Sequence, residues 1–282
     1  MIKYHDYPTM EFTVKPSLKM LDRNYPTLGH CIFCLDRQLP PRKLTKEHIV
    51  PDALNGTLRF EEATCEPCAQ YGNRTFDNPT LQGALLVARL LLNLKRRDKK
   101  RPKTLPKVGI PDAGMVDTNA VPLDVDLDPG DYPPQLHLFV FEPPGLLIGE
   151  NPDGGLRQIQ LQIVTLETLL ERTPNFPPTV VGRVGFNPHA FALSIAKIAY
   201  CFAVAECGLT SFDGASIRAI LDGSSQNIFS HVGSTSPPRL AMGGALHVLS
   251  WRRQNEFLVV SVCLFASFGA PTFEVVVGRA LI

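Results

Sequence analysis

CIFC (31–34), LTKEHIVPDALNG (44–56), CEPC (65–68) and NRTFD (73–77) decide how the first third of this chain folds. Two Cys-x-x-Cys pairs lie about thirty residues apart. Each pair can form a tight knuckle that aims two thiolates at one point, and four thiolates close a tetrahedral Zn²⁺ sphere. A sphere closed by sulfur is structural, with no open position for chemistry. The alternative, four free buried thiols, does not account for paired spacing at both ends. Residues 30–80 are otherwise poor in apolar side chains, so a unit of this size needs a staple.

Working outward, residues 1–29 are polar and broken by Pro8, Pro16 and Pro26. They read as an irregular arm with one short strand at Glu11–Val14. On the other side, Leu81, Leu85, Ala88, Leu92 and Lys95 recur at helical spacing and predict a helix over Leu81–Lys95. Pro102, Pro106 and Pro111 end it. DVDLDPGD (124–131) lacks the glycine and terminal glutamate of an EF-hand loop and reads as an edge strand or solvated turn.

From residue 135 the composition changes. LHLFVFE (136–142), IQLQIVTL (159–166) and TVVGRVGF (179–186) read as strands. Asn187 and Pro188 open a long helix as N-cap and first-turn proline, running to about Glu206 and ending near Gly208. Its centre, IAKIAYCFAVA, is apolar almost all round, which predicts burial against a sheet. Phe212–Leu221 reads as a second helix, and Leu246–Trp251, Phe257–Phe265 and Phe273–Val277 as strands. The fold class is therefore α+β: a small zinc-stapled domain followed by a larger antiparallel α+β domain. The expected boundaries are an arm at 1–29, the zinc-stapled domain with its trailing helix at 30–97, a basic and proline-rich linker at 98–134, and the α+β domain at 135–282.

The chain has 282 residues, 44% hydrophobic and 20% charged, which excludes wholesale disorder. The apolar run Leu81–Leu94 is interrupted by Gln82, Arg89 and Asn93, and the N-terminus has no signal-peptide core. These features set the expectation of a cytoplasmic protein without a membrane partner. Of seven cysteines, Cys201, Cys207 and Cys263 lie in apolar surroundings and read as small hydrophobes. Charge is uneven. Lys95, Arg96, Arg97, Lys99, Lys100, Arg101, Lys103 and Lys107 face only Asp98 within thirteen residues. That stretch is net +7 in a chain of net +1, so the remainder carries −6. A local basic run in an otherwise acidic protein is a candidate polyanion contact.

The set Cys31, Cys34, Glu47-His48-Ile49-Val50-Pro51, Cys65 and Cys68 resembles the HNH endonucleases, in the branch whose ββα-metal core is framed by two Cys-x-x-Cys knuckles. The resemblance covers roughly residues 29–80. It implies hydrolysis of a nucleic-acid phosphodiester with one divalent metal, with double-stranded DNA favoured over RNA. His48 would be the general base and Glu47 a ligand to Mg²⁺ or Mn²⁺, while zinc holds the frame. On strand geometry alone, adjacent Glu47 and His48 reach one site only across a distortion or bulge.

One position departs from the family pattern. Ala69 follows Cys68 where the family has its last metal ligand. Asn73, followed by Arg74, Thr75 and Phe76, resembles the usual Asn-Arg-x-Phe continuation and is the candidate replacement. That assignment expects residues 69–72 to form an inserted loop broken at Gly72, with the helix starting later. The plainer reading has Asn73 capping the helix. Asn55 is the nearest candidate for the motif's middle polar residue, although Asn-Gly more often makes a turn. Trp251 with Arg252 and Arg253 could stack on and contact nucleic acid, but a strand end with solvated arginines has more weight.

The sequence supports three readings of function. The first is a metal-dependent HNH endonuclease. The second is a zinc-stapled nucleic-acid-binding module without catalysis, suggested by Ala69. In the third, compatible with the first, the C-terminal domain forms a homo-oligomer or senses a signal and the nuclease is its output. A role in phage defence rests on analogy only. Neutralising Lys99, Lys100, Arg101 and Lys103 together should weaken DNA binding regardless of sequence. It should also flatten the salt dependence by about 0.9 in log–log slope per lost phosphate contact. Filter binding across a salt series measures this, and an unchanged slope would mean the run is only solvated.

Overall fold

The computed structural model describes residues 12–14, 23–35, 43–94, 108–110, 123–125, 135–149, 156–163, 181–182, 187–235 and 245–281. The basic run at 95–107 and most of the expected linker lie outside them. In chain order the elements are β1 (Phe12–Val14), β2 (Arg23–Tyr25), β3 (Leu44–His48), β4 (Leu58–Cys65), α1 (Glu66–Gly72), a π-helical turn (Asn73–Asp77), α2 (Asn78–Gln82) and α3 (Leu86–Leu91). Then come β5 (Val108–Ile110), β6 (Leu123–Val125), β7 (Gln135–Phe141), α4 (Gly145–Ile148), β8 (Leu156–Ile163) and β9 (Val181–Gly182). The rest are α5 (Pro188–Cys207), β10 (Phe212–Asp213), α6 (Ala215–Leu221), α7 (Ile228–His231), β11 (Val232–Ser234), β12 (His247–Gln254), β13 (Phe257–Leu264) and β14 (Phe273–Ala280).

The α+β reading holds. The largest sheet is antiparallel with order β1-β12-β13-β14-β10, and β11 pairs with another part of β14. Continuous apolar runs such as Phe257–Leu264 suit strands covered on both faces. Helix α5 packs on this sheet and is buried from Ala190 to Val204. By length and composition α5 could cross a bilayer, but most of it is buried inside the protein. Its start agrees with the sequence: Asn187 Oδ1 accepts from Ala190 N at 2.9 Å, and Pro188 comes next. Phe139, Phe141, Phe191 and Phe273 pack as a cluster, with Phe139 and Phe191 edge-on at 4.9 Å.

The zinc-stapled unit is a second sheet, β2-β4-β3, followed by α1. Strand β2 pairs parallel with β4, whereas β1 joins the large sheet. The arm therefore contributes a strand to each of these two sheets, one more than expected. The two sheets share one hydrophobic cluster, in which Ile32, Ile49, Phe60 and Phe76 are continuous with Phe191, Ala196 and Tyr200. Polar ties cross the same seam. Tyr200 Oη donates to Ile32 O at 2.6 Å, and Ser194 Oγ donates to Phe76 O at 3.0 Å.

Two expected helices differ. The segment from Leu81 is broken after Gln82, where Gly83 leaves helical geometry (φ −98°, ψ −109°), and α3 starts at Leu86. Arg89 repairs the break by donating to Leu81 O at 2.9 Å and Ala53 O at 3.0 Å. Phe212 and Asp213 pair with β14 instead of starting a helix, which begins after Gly214.

His247 is a core residue, as its apolar strand suggests. It is 1% exposed; its Nε2 bonds Leu54 O at 2.8 Å and its Nδ1 accepts from Phe265 N at 3.3 Å. Burial pushes its pKa down to about 4. A histidine that must stay neutral when folded gives full stability above its ordinary value near 6.5 and loses it as pH falls toward 4. The difference is ~3 kcal/mol. Urea unfolding should show this acid-side loss, and His247→Gln should flatten it. His231, also lowered by burial, leaves a residual slope.

Candidate active site and metal centre

The four knuckle cysteines converge. The Sγ atoms of Cys31, Cys34, Cys65 and Cys68 all lie within 4.8 Å of one another. Cys34 and Cys65 are 3.8 Å apart, matching the sulfur–sulfur edge of about 3.8 Å that Zn–S bonds of ~2.3 Å require in a tetrahedron. Local backbone explains the convergence. Leu35 N closes the first knuckle on Cys31 O at 3.0 Å, and Ile32 N ties it to Ala63 O of β4 at 2.9 Å. The second knuckle straddles a strand end and a helix start, with Cys65 as N-cap, Pro67 in the first turn and Cys68 just beyond. A helix N-terminus favours negative charge. Cys31 is pulled down to about 4, chiefly because the Cys68 thiol donates to it, and Cys68 is raised in turn. A thiolate cluster of this kind fits a divalent soft cation.

Strands β3 and β4 form the hairpin that carries Glu47 and His48. Their register shifts between Thr45 and Glu47, so the expected irregularity is present and precedes the pair. Both residues line one cavity of about 1100 Å³, together with Asn73, Asp77 and Lys197. Glu47 is buried and His48 is partly exposed. His48 is lowered, first by burial and against the pull of Asp52, whose Oδ1 lies 3.9 Å from Nε2. It is therefore neutral at pH 7 and free to accept a proton. The hairpin loop needs its Asn-Gly. Asn55 is left-handed (φ 61°), and a Cβ at Gly56 would come within 1.9 Å of Val50 O. Asn55 serves the turn.

The helical side of the site differs from expectation. Residues 69–72 are helix, not an inserted loop: α1 starts at Glu66, and Gly72 has helical dihedrals. Pro67 at the start and the alanine at 69 favour an early, unbroken helix. Asn73 also has helical dihedrals (φ −57°, ψ −43°) and donates from its N–H to Ala69 O and Gln70 O, so it caps no helix N-terminus. It is exposed on the cavity rim. The π turn comes next, with Asn78 N bonding Asn73 O. Such turns carry one extra residue and often mark functional sites.

Sequence reasoning missed two residues. Lys197, in the middle of α5, brings its Nζ 2.5 Å from Glu47 Oε1, 3.6 Å from Asp77 Oδ2 and 3.0 Å from His48 O. Glu47 Oε2 accepts from Thr64 Oγ1 at 2.7 Å. Burial alone would lower Lys197, but the carboxylates of Asp77 and Glu47 outweigh it and raise its pKa. Asp77 is raised, first by burial, and its Oδ1 is buried without a hydrogen-bond partner. The available signal was one lysine in an otherwise apolar helix, and an acid four residues after Asn73. Lys95, Arg96, Arg97, Lys99, Lys100, Arg101 and Lys103 lie outside the described residues. Arg252 bonds Glu274 and Gln254, both at 2.7 Å, which supports a structural role over nucleic-acid contact.

A two-stranded hairpin and helix framed by two cysteine knuckles define a zinc-stapled ββα unit. Residues 31–84 match the family model of the HNH endonucleases, about a fifth of the chain. No curated protein and no solved structure matches the chain.

Metal analysis of the purified protein should give about one zinc per chain. Cys31→Ala should lose that zinc and lower Tm by ~10 °C or more, because metal binding in such units is coupled to folding. Folded protein with no zinc would refute the assignment.

Proposed function

We propose that the protein is a metal-dependent endonuclease that hydrolyses nucleic-acid phosphodiester bonds, with DNA as substrate in preference to RNA. The observation that carries this reading is His48, neutral and accessible, beside a pair of carboxylates on the wall of a large cavity in an HNH unit. His48 would take the proton from an attacking water as its oxygen bonds to phosphorus and the P–O3′ bond breaks. An imidazole with a pKa below neutrality suits that role. Glu47 and Asp77 offer oxygen donors to Mg²⁺ or Mn²⁺, and the unpartnered Asp77 Oδ1 fits such a cation. Bound there, the cation would stabilise charge on the departing 3′-oxygen. The run Lys95–Lys103 would add phosphate contacts that position the duplex without reading sequence. Self-association through residues 135–282 and a cytoplasmic location belong to the same proposal.

A second reading is a nucleic-acid-binding module without catalysis. Ala69 at the expected ligand position favours it, as does the ammonium already seated on Glu47. Incubation with plasmid and Mg²⁺ or Mn²⁺, with and without EDTA, separates the two. Metal-dependent nicking or linearisation is expected, and His48→Ala should slow it ~10²–10⁴-fold while binding stays near wild type. A His48→Ala variant that cuts at the wild-type rate removes His48 as base, and wild-type protein that never cuts leaves the binding module.

A further inference from the structure

We propose that Lys197 is a built-in cation of the candidate active site, a positioning residue that holds Glu47 and Asp77 together and sets how weakly they bind a divalent metal. The proposal rests on the nuclease reading for its meaning but not for its test. Its ground is the contact set. One ammonium lies within hydrogen-bond reach of Glu47 Oε1 and the His48 carbonyl and forms an ion pair with Asp77 Oδ2 at 3.6 Å, so groups of β3 and the π turn converge on it.

Two carboxylates and one ammonium leave a net charge of about −1, and the unpartnered Asp77 Oδ1 faces no donor. The site therefore still attracts a cation, but less than a bare carboxylate pair would. A divalent ion held by these carboxylates would lie a few ångströms from the ammonium, and like charges at that range repel strongly even at an effective dielectric of ~20. Among the described residues, the four cysteines are the group of possible ligands that converges as a metal cage; Glu47, His48 and Asp77 do not. That is the expected geometry when a lysine fills part of the space. The helix bearing Lys197 is buried along most of its length, and Ser194, one turn earlier, bonds Phe76 O and Thr80. The ammonium is thus delivered by a rigid element of the C-terminal region.

The experiment is Mn²⁺ binding to the full-length, zinc-loaded chain, read from the free-ion signal in electron paramagnetic resonance. Wild type, Lys197→Met, Lys197→Arg and Asp77→Asn are compared, with circular dichroism and zinc content as checks of folding. Lys197→Met should bind one Mn²⁺ at least ~10-fold more tightly than wild type, since it removes a repelling charge. Lys197→Arg should stay near wild type, and Asp77→Asn should lose binding because its site is neutral. A folded Lys197→Met with wild-type affinity overturns the proposal, as does a folded Asp77→Asn that binds like wild type or the absence of Mn²⁺ binding in all four. If Lys197→Met does not fold, the Asp77→Asn result decides. DNA cleavage is not read, so a chain that shows this pattern yet never cuts plasmid sinks the nuclease reading alone, and a chain that cuts without the pattern sinks this one alone.

Discussion

A lysine ammonium buried between two acids and a carbonyl ties the zinc-stapled unit to the helix that packs on the large sheet. Burying an isolated ammonium costs several kcal/mol, and a buried ion pair repays that only when its geometry and hydrogen bonds are complete. Lys197 meets most of that condition through Glu47, Asp77 and the His48 carbonyl, and Asp77 Oδ1 is the one acceptor of the set left without a partner. Removing one partner of such a set typically costs about 3–5 kcal/mol, because a charge is left stranded. The position of Lys197 thereby fixes three elements relative to one another: strand β3, the π turn and helix α5. The π turn belongs to this constraint. Its extra residue rotates the helical path, so that Phe76 goes into the core and Asp77 lines the cavity beside Lys197.

Two staples hold the small unit, and they act at different places. The cysteine cluster fixes the knuckles to the end of β4 and the start of α1. The opposite flank leans on α5, where Tyr200 bonds Ile32 and Ser194 bonds Phe76 and Thr80. Residues 30–80 alone hold too little apolar surface for a core of their own, and the shared cluster supplies it. The C-terminal region is therefore part of the site's foundation as well as a candidate for oligomerisation or sensing.

Local signals were legible in the sequence and distant ones were not. The knuckles, the hairpin turn at Asn55-Gly56 and the Asn187-Pro188 start of α5 each depend on residues a few positions apart. The strand runs of the large sheet announced themselves by composition. Glu47 and His48 were recognisable because the motif is contiguous. Asp77 and Lys197 are 120 positions apart, and no periodicity links them. The parallel pairing of β2 with β4 has the same character, since a three-residue polar strand carries no pattern of its own. The break at Gly83 was hidden because apolar spacing continues across it, and only Arg89 folding back onto Leu81 O shows how the interrupted helix is satisfied.

The alanine at position 69 takes on a different meaning in this geometry. A metal ligand there would stand on the first full turn of α1, close to the cysteine knuckle. Asn73 and Asp77 lie four and eight residues further along the same continuous helical path and line the same cavity as Ala69. Of these, Asp77 is the one paired with α5, through Lys197, and the one with a buried, orphaned oxygen. The acid of this path thus stands two turns beyond the alanine, where the C-terminal region reaches it. A carboxylate at that depth needs a compensating cation, and Lys197 is the group the fold provides.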